Sequence, residues 1–191
     1  MYKEIHHALL RGGRAPVECQ KLLGLIIRMK ILSIVGHHNS GKTTVVESLI
    51  KHWTEKGHSI AIIKNIHIES FSLDKPGKDT WRYKQAGAEM VGMCTPIETN
   101  ILFPKRKPLE EILHYFKTDY LILEGFSQEE QRYPRIVCAR EEALILDHLT
   151  PLTFAISGII SDKIRRFRDL PVLNAIQNLE ALIDLINEHV T

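Results

Sequence analysis

Short apolar runs alternate along this chain with segments in which apolar residues recur every three or four positions. The first run, Ile31–Val35, precedes a helical pattern from about Gly41 to Lys56, and a second run spans Ile60–Lys64. Short buried runs that alternate with helical segments are typical of β-α-β units and a parallel sheet. The pattern therefore predicts an α/β protein.

The rest of the chain continues this alternation. Helices are predicted over Lys78–Ala88, Leu109–Phe116 and Asn178–His189, and strands over Met90–Cys94, Asn100–Phe103, Tyr120–Leu123, Arg135–Ala139 and Phe154–Ile160. Gly57 and Gly87 follow two of the helices, where a left-handed residue commonly ends a helix. These elements predict three layers, with a mostly parallel sheet flanked by helices.

The composition is that of one ordinary globular domain. The chain is 44% hydrophobic and 25% charged, with a net charge of +2, which favours neither disorder nor a nucleic-acid-binding surface. No apolar run approaches the roughly 18 residues of a membrane span. Cys19, Cys94 and Cys138 are widely separated, which argues against a disulfide framework or a zinc site. We expect a protein of the reducing cytoplasm.

Residues 1–28 carry no recognisable motif. They combine basic side chains with the short apolar run Leu22–Ile27, but they lack the small-residue cleavage pattern of a secretory signal. Met29 directly precedes the first predicted strand, which leaves two alternatives open: an extension upstream of the true reading frame, or a poorly ordered arm. Residues 29–191 make up the predicted domain.

Residues 36–43 match the pattern G-x-x-x-x-G-K-[ST] between a predicted strand and a predicted helix. Glycines let the backbone approach phosphate oxygens closely, and the N–H groups at a helix start favour anions. Lys42 is expected to reach the β- and γ-phosphates, and the Thr43 hydroxyl to ligate Mg²⁺. The segment predicts a P-loop for a purine nucleoside triphosphate, with these residues as ligands: Gly36, His37, His38, Asn39, Ser40, Gly41, Lys42, Thr43 and Thr44.

A carboxylate ends the apolar run from Tyr120 to Leu123. Glu124 stands where open α/β sheets place their ligands, and it resembles a Walker B acid. It is expected to hold Mg²⁺ directly or through water, because that ion takes one or two carboxylates together with phosphates. The alternative is an ordinary polar strand end.

The segment Asp74–Thr80 follows the second predicted strand and is rich in charge. Its carboxylates, lysines and hydroxyl could sense a γ-phosphate, orient water or contact a second ligand. A solvated loop, with Asp79 or Asp74 capping the next helix, is the alternative that the residues leave open.

Histidines raise the alternative of a transition-metal site. His37, His38 and His67 are the members of interest among ten histidines, but no cysteine or carboxylate stands at metal-ligand spacing beside His37 and His38. His67 is expected either at the nucleotide cleft or in an exposed loop.

Five segments together resemble the MobB family, the molybdopterin-guanine dinucleotide biosynthesis accessory proteins. They are GHHNSGKTT, IIKNIH, DKPGKDTWRYKQAGAE, DYLILEGF and YPRIV. The resemblance implies a P-loop GTPase, usually a homodimer, that uses GTP and Mg²⁺ and hydrolyses GTP slowly. It also implies a role in molybdenum-cofactor maturation, with molybdopterin or the guanylyltransferase that joins GMP to it as a partner.

The resemblance extends to individual residues. It implies catalytic roles for Asp74 and Asp79 beside Lys42, supports Glu124 as the Mg²⁺ carboxylate, and adds these nucleotide ligands: Gly77, Lys78 and Thr80. Asn65 departs from the family, whose second-strand motif commonly has histidine there.

Guanine specificity has a weaker basis in the sequence, because no N-K-x-D motif is present. Asp162 follows the predicted strand Phe154–Ile160 and is the candidate guanine reader, with an ordinary loop aspartate as the alternative. Two other functions stay open: an ATP-dependent kinase or ligase of small metabolites, and a nickel-type metallochaperone GTPase.

Overall fold

The computed structural model describes residues 29–68, 70–127 and 132–191, so residues 1–28, with Cys19 among them, lie outside the described residues. The described residues form two compact units, one made of residues 29–65 and 116–191 and the other of residues 66–115. Within the described ranges, no helix combines the length and the apolarity that crossing a membrane requires.

The helices and strands follow one another in the predicted alternation. In chain order they are β1 (Lys30–Val35), α1 (Lys42–Glu55), β2 (Ile60–Lys64), α2 (Asp79–Gln85), β3 (Val91–Cys94), β4 (Thr99–Leu102), α3 (Leu109–Leu113), β5 (Tyr120–Glu124), β6 (Arg135–Cys138), β7 (Thr153–Ser157), β8 (Arg166–Phe167), β9 (Leu170–Pro171) and α4 (Leu179–His189).

The first unit is built on a five-stranded sheet in the order β2-β5-β1-β6-β7. Every neighbouring pair is parallel, so the carboxyl ends of all five strands meet at one edge. The predicted α/β class with a mostly parallel sheet is confirmed. Because β1 is the central strand, the loop that follows it has a strand end on each side.

One face of this sheet is covered by α1 and α4. Their apolar side chains and those of the strands form the main core, in which Trp53 stacks on Tyr120 with ring centroids 4.1 Å apart. Burying a side chain of this kind contributes about 1.5–3 kcal/mol. Gly57 has φ 83° directly after the cap of α1, as the sequence predicted.

The other face carries a smaller core around Val35, Val137 and Ile156. Residues in or next to three 3₁₀ turns and the β8–β9 pair complete it, namely Ile145, Ile160 and Val172 with Leu149, Ile164, Phe167 and Leu170. Turns of three or four residues have no hydrophobic period, so the sequence did not predict them.

The second unit contains α2, the antiparallel β3–β4 pair and α3. Val91 pairs with Leu102 and Cys94 with Thr99, which confirms the predicted hairpin. The helix predicted over Leu109–Phe116 is shorter and ends at Leu113. Its end is a tight turn, in which the Tyr115 N–H bonds to the Ile112 carbonyl.

The strand predicted over Phe154–Ile160 was too long, because β7 ends at Ser157. Gly158 has φ 83° and turns the chain, and the Ile159 N–H then donates to the Ser40 carbonyl instead of continuing the sheet. The apolar run is continuous in sequence, but its last residues belong to a 3₁₀ turn, Ile159–Asp162.

Candidate functional site

The loop between β1 and α1 requires glycine at both ends. Gly36 has φ 144°, and a Cβ there would lie 2.0 Å from the Cys138 carbonyl oxygen. Gly41 has φ 91°, and its Cβ would lie 3.0 Å from the Gly158 Cα. Asn39 also has a positive φ of 56°. Any larger residue at position 36 would collide with β6, so the loop can take this path only with glycine.

The Lys42 ammonium lies inside the loop. Its Nζ donates to the Gly36 carbonyl at 2.9 Å and to the His37 carbonyl at 2.6 Å. Burial lowers the pKa of Lys42 by desolvation, which the nearby Cys138 and Glu124 partly oppose. Ser40 is 1% exposed, and its Oγ has no hydrogen-bond partner among the described residues. The loop thus holds a cation and a buried polar group that an anionic ligand could engage.

The two loop histidines differ in their surroundings. His37 Nε2 lies 2.8 Å from Asp147 Oδ2, and its ring meets that of His148 edge-on at 4.7 Å. Burial lowers the pKa of His148, and His37 lowers it further. His38 is exposed. The His37 side chain therefore ties the loop to the 3₁₀ turn Leu146–His148, a contact between residues 110 apart that no local pattern signals.

Glu124 lies at the same sheet edge as the loop. It is paired in register with Ile34 of β1 and with Lys64 of β2, and it is 6% exposed. Lys64 Nζ lies 3.1 Å from Glu124 Oε1. Lys64 was not among the residues predicted from the sequence. It ends β2, and only the register of β2 with β5 shows that it stands beside Glu124.

Asn65 holds the strand ends together at this edge. Its N–H donates to the Glu124 carbonyl at 2.9 Å, and its Nδ2 donates to the Gly125 carbonyl at 3.5 Å. The residue is 8% exposed. His67 is exposed and belongs to the second unit. Asn65 is therefore a buried amide that bonds to the backbone of the neighbouring strand end.

Asp162 lies at a cavity of about 130 Å³ beside the start of α1. Its lining includes Gly41 and Thr44 from the loop and Asn174 from the segment before α4. Asn174 Nδ2 donates to Asp162 Oδ1 at 2.8 Å, while Asn174 Oδ1 accepts the N–H groups of Ile176 and Gln177. Sequence reasoning missed Asn174, because its link to Asp162 spans the β8–β9 pair.

The segment Asp74–Thr80 lies in the second unit. Asp74 Oδ1 accepts from the Thr80 hydroxyl at 2.8 Å, and Asp74 Oδ2 lies 2.7 Å from Lys84 Nζ. The Lys84 hydrogen bond is the main reason that the pKa of Asp74 is lowered. Asp79 is exposed, and Arg82 Nη1 lies 3.7 Å from its Oδ1.

Neither aspartate caps α2, so the capping part of that alternative was wrong, while most residues of the segment are exposed. The N-cap residue is Lys78, in an extended conformation without a side-chain hydrogen bond to the helix. Asp79 is already in the first turn, and Asp74 bonds across the segment to Thr80 and Lys84. Gly77 has φ 87°, and a Cβ there would meet nothing within 4 Å.

Over the part of the chain that the structure describes, no group of three or more His, Cys, Asp or Glu side chains is arranged to hold a metal ion. Thr43 is exposed in the first turn of α1, and Glu124 is a buried carboxylate at the carboxyl edge of the sheet in the same unit.

The parallel sheet, the glycine-bounded loop and its enclosed lysine define a protein of the P-loop nucleotide-binding class. A family model, molybdopterin guanine dinucleotide synthesis protein B (MobB), matches residues 31–162. The chain belongs to the MobB family.

Relatives and solved structures agree with this assignment. A molybdopterin-guanine dinucleotide biosynthesis adapter protein of Haemophilus influenzae is 33% identical over 127 residues, which cover 64% of this chain and 70% of the relative. A Methanocaldococcus jannaschii protein, provisionally given the same name, is 36% identical over 128 residues, 63% of this chain and 53% of the relative. The match thus spans about half the length of that relative.

The crystal structure of Bacillus subtilis MobB superposes with a TM-score of 0.67 at 26% identity, over 85% of this chain and 98% of that one. A MobB homologue from Bacillus stearothermophilus gives a TM-score of 0.60 at 20% identity, over 83% and 96% of the two chains. The second likeness speaks for the fold alone.

Proposed function

We propose that this protein binds GTP with Mg²⁺, hydrolyses it slowly, and assists the conversion of molybdopterin to molybdopterin-guanine dinucleotide as an adapter. The observation that carries the proposal is the loop itself. Gly36 lies against β6 and Gly41 against the Gly158 turn that follows β7, and the loop lysine donates to the carbonyls of Gly36 and His37. Lys42 is already positioned inside the loop, where it would meet the β- and γ-phosphates.

The oxygen groups at this edge suit Mg²⁺. The Thr43 hydroxyl and the Glu124 carboxylate are hard donors, and Mg²⁺ usually combines one or two such groups with phosphate oxygens and waters. When bound, the ion would neutralise part of the phosphate charge. The buried Ser40 hydroxyl supports a polar ligand in the loop. The loop backbone from Gly36 to Thr44 would hold the phosphates.

The cavity beside Asp162 supports a guanine-reading role for that carboxylate. Guanine presents N1–H and N2–H₂ as adjacent donors, and a carboxylate accepts from both. Asn174 Nδ2 donates to Asp162 Oδ1, and the Asn174 side-chain carbonyl is fixed by two backbone N–H groups. We propose Asp162 as the guanine reader and Asn174 as the residue that orients it.

We propose that Asp79, with Gly77 and Lys78 before it, takes part in GTP hydrolysis. Asp79 and Lys78 are exposed, and Gly77 leaves open space beside them, so their side chains are open to a ligand. Asp74 is paired with Lys84 and Thr80, so we propose that its contribution to catalysis is to hold Thr80 in place.

The adapter role rests on the relatives, several of which are named as adapter proteins of molybdopterin-guanine dinucleotide biosynthesis. An adapter needs a partner, and we propose the guanylyltransferase that joins GMP to molybdopterin, in the cytoplasm. We also propose that the protein is a homodimer. Large apolar side chains exposed on the second unit support protein contacts there, namely Ile68, Leu73, Ile97 and Ile101.

Replacement of Lys42 by alanine tests nucleotide binding. A hydrogen bond to a charged group contributes about 1.5–3 kcal/mol, so GTP affinity should fall about ten- to a hundredfold. The matched control is Lys51→Ala, an exposed lysine of the same helix, which should bind like the parent. The measurement is GTP titration by calorimetry in the presence of Mg²⁺. Parent-like affinity in Lys42→Ala would refute the P-loop proposal.

Asp162→Asn tests the guanine assignment. Xanthine presents an acceptor at C2 where guanine presents an amino group, so an amide that donates and accepts should favour xanthine. We expect GTP affinity to fall and XTP affinity to rise, with the ratio of the two changing at least about tenfold, or 1.4 kcal/mol. Asp184→Asn, an exposed aspartate on α4, is the control. An unchanged GTP/XTP ratio, or a preference of the parent for ATP, would show that Asp162 does not read guanine.

A further inference from the structure

The second unit contains a cavity that the nucleotide proposal does not use. It has a volume of about 450 Å³ and lies between the end of α2 and the segment that follows β4. Ligand sites for small molecules commonly measure about 300–1,000 Å³. Three lysines line it, Lys84, Lys105 and Lys107, together with one aromatic ring, Phe103, and one carboxylate, Glu89.

Two of these lysines are fixed by carboxylates that do not line the cavity. Lys84 is 13% exposed and lies 2.7 Å from Asp74, which is itself 5% exposed. Lys107 donates to Glu111 at 3.0 Å, and this hydrogen bond raises the pKa of Lys107. An ammonium has three N–H donors, so each lysine keeps donors for a second anion. Their carboxylates therefore position two cations at the cavity while leaving them able to bind an anionic group.

The aromatic ring is positioned as well. Phe103 contacts Tyr115, with ring centroids 5.4 Å apart and an angle of 51° between the planes. Lys107 Nζ lies 5.7 Å from the Phe103 centroid. A phenyl ring held in this way can stack on a flat heteroaromatic group. Lys105, which is exposed, adds a third cation beside it.

We propose that this cavity binds a flat heteroaromatic molecule that carries a phosphate, of the chemical class of a phosphorylated pterin. Phe103 contacts the ring system, and Lys84, Lys105 and Lys107 bind the phosphate. The choice of a pterin among bicyclic heteroaromatics rests on the proposed function, since molybdopterin is the molecule to be guanylated. The cavity is formed wholly by residues of the second unit.

Ligand binding at this cavity would also reach the segment Asp74–Thr80. Lys84 is shared between the cavity and Asp74, and Asp74 in turn accepts from Thr80. A phosphate that binds the remaining donors of Lys84 shares that ammonium with Asp74 and weakens the Lys84–Asp74 pair. Hydrogen exchange of the α2 amides should therefore change when the ligand binds.

Binding of a fluorescent phosphorylated pterin, neopterin 3′-monophosphate, to the full chain tests the proposal. Unphosphorylated neopterin, GMP and inorganic phosphate are the comparison ligands. We expect Lys105→Ala to weaken neopterin phosphate at least about tenfold while affecting neopterin little, because it removes a phosphate contact. Phe103→Leu should weaken both pterins. Lys117→Ala, an exposed lysine of the first unit, is the control and should bind like the parent.

The outcomes separate this proposal from the nucleotide site. GTP affinity should be unchanged in all three variants, so a loss of pterin binding with GTP binding intact supports a distinct cavity. Absence of pterin binding, equal loss in Lys117→Ala, or GMP binding as tight as the phosphorylated pterin would overturn the proposal. If Phe103→Leu has a lower melting temperature than the parent, Lys105→Glu is the deciding variant. It reverses an exposed charge and should abolish binding of the phosphorylated ligand.

Discussion

At the scale of single residues, the Glu124 carboxylate has one observed partner, Lys64, and one proposed partner, Mg²⁺. It is 6% exposed, and burying a carboxylate is costly unless it is paired. Lys64 provides the pairing at 3.1 Å, and Lys64 itself is 55% exposed, so water reaches its ammonium. A Mg²⁺ ion at Glu124 would have to share the carboxylate with Lys64 or displace it.

Replacing Glu124 by glutamine tests the proposed metal role. The shape is kept and the exposed Lys64 can be solvated, so the melting temperature should change little. The Mg²⁺ concentration that supports half-maximal GTP binding should rise at least about tenfold, or 1.4 kcal/mol. GTP titrations across a Mg²⁺ series measure this, with Glu47→Gln on the exposed face of α1 as the control. An unchanged Mg²⁺ dependence would make Glu124 an ordinary strand end.

The sequence predicted the residues whose role follows from local backbone geometry. Gly36 and Gly41 belong to a pattern that depends on φ and on close approach, and both have positive φ in the structure. Lys64 and Asn174 were not predicted. Lys64 meets Glu124 because of the register between β2 and β5, and Asn174 meets Asp162 because the β8–β9 hairpin between them folds back. Side chains that meet across the fold carry no local signal.

At the scale of an element, α2 is tethered from its side rather than capped at its start. Asp74 bonds to Thr80 in the first turn and pairs with Lys84 near the last turn. In the sequence, Asp74 stands a few residues before the helix, where a capping carboxylate is expected. The structure shows that the turn around Gly77 instead brings Asp74 to Thr80 and Lys84 within α2. The ends of α3 and β7 were also predicted wrongly. Backbone hydrogen bonds end both elements, and such bonds do not change the spacing of apolar residues from which the ends were predicted.

Asp74→Asn tests this tether through its pH dependence. The folded-state pKa of Asp74 is lowered, first by the hydrogen bond from Lys84. A carboxyl group with a depressed folded pKa stabilises the fold above its unfolded pKa of about 3.9 and loses that contribution as the pH falls through the folded value. The variant should have a lower melting temperature than the parent at pH 7, and the difference between the two melting temperatures should become smaller below about pH 4.

Thermal unfolding of parent and variant from pH 7 to pH 3 measures this difference. Asp79→Asn is the matched control, because Asp79 is exposed and should leave the melting temperature unchanged while slowing single-turnover GTP hydrolysis. A constant difference for Asp74→Asn across this range would mean that the ion pair with Lys84 does not stabilise the unit.

At the scale of the whole molecule, the alternation of strands and helices predicted the class of fold but not the order of the strands. The order β2-β5-β1-β6-β7 puts strands distant in the chain side by side, and it brings Glu124 and the Gly158 turn to opposite sides of the P-loop. Pairing between strands separated by an entire inserted unit depends on long-range contacts, which a single sequence does not reveal. The family resemblance, by contrast, was visible in short motifs and is confirmed by the match over residues 31–162.

Removal of residues 1–28 tests where the core of the protein begins. Met29 is 5% exposed, and its sulfur accepts a hydrogen bond from Thr118 at 3.7 Å. The Lys30 N–H then donates to the Asp119 carbonyl at the start of the β1–β5 ladder. The chain 29–191 should therefore stay soluble, bind GTP like the parent, and melt within about 3 °C of it, equivalent to about 1 kcal/mol at this size. A chain starting at residue 36 lacks the central strand and should not fold. If the chain 29–191 is insoluble or does not bind GTP, part of residues 1–28 is required for the fold.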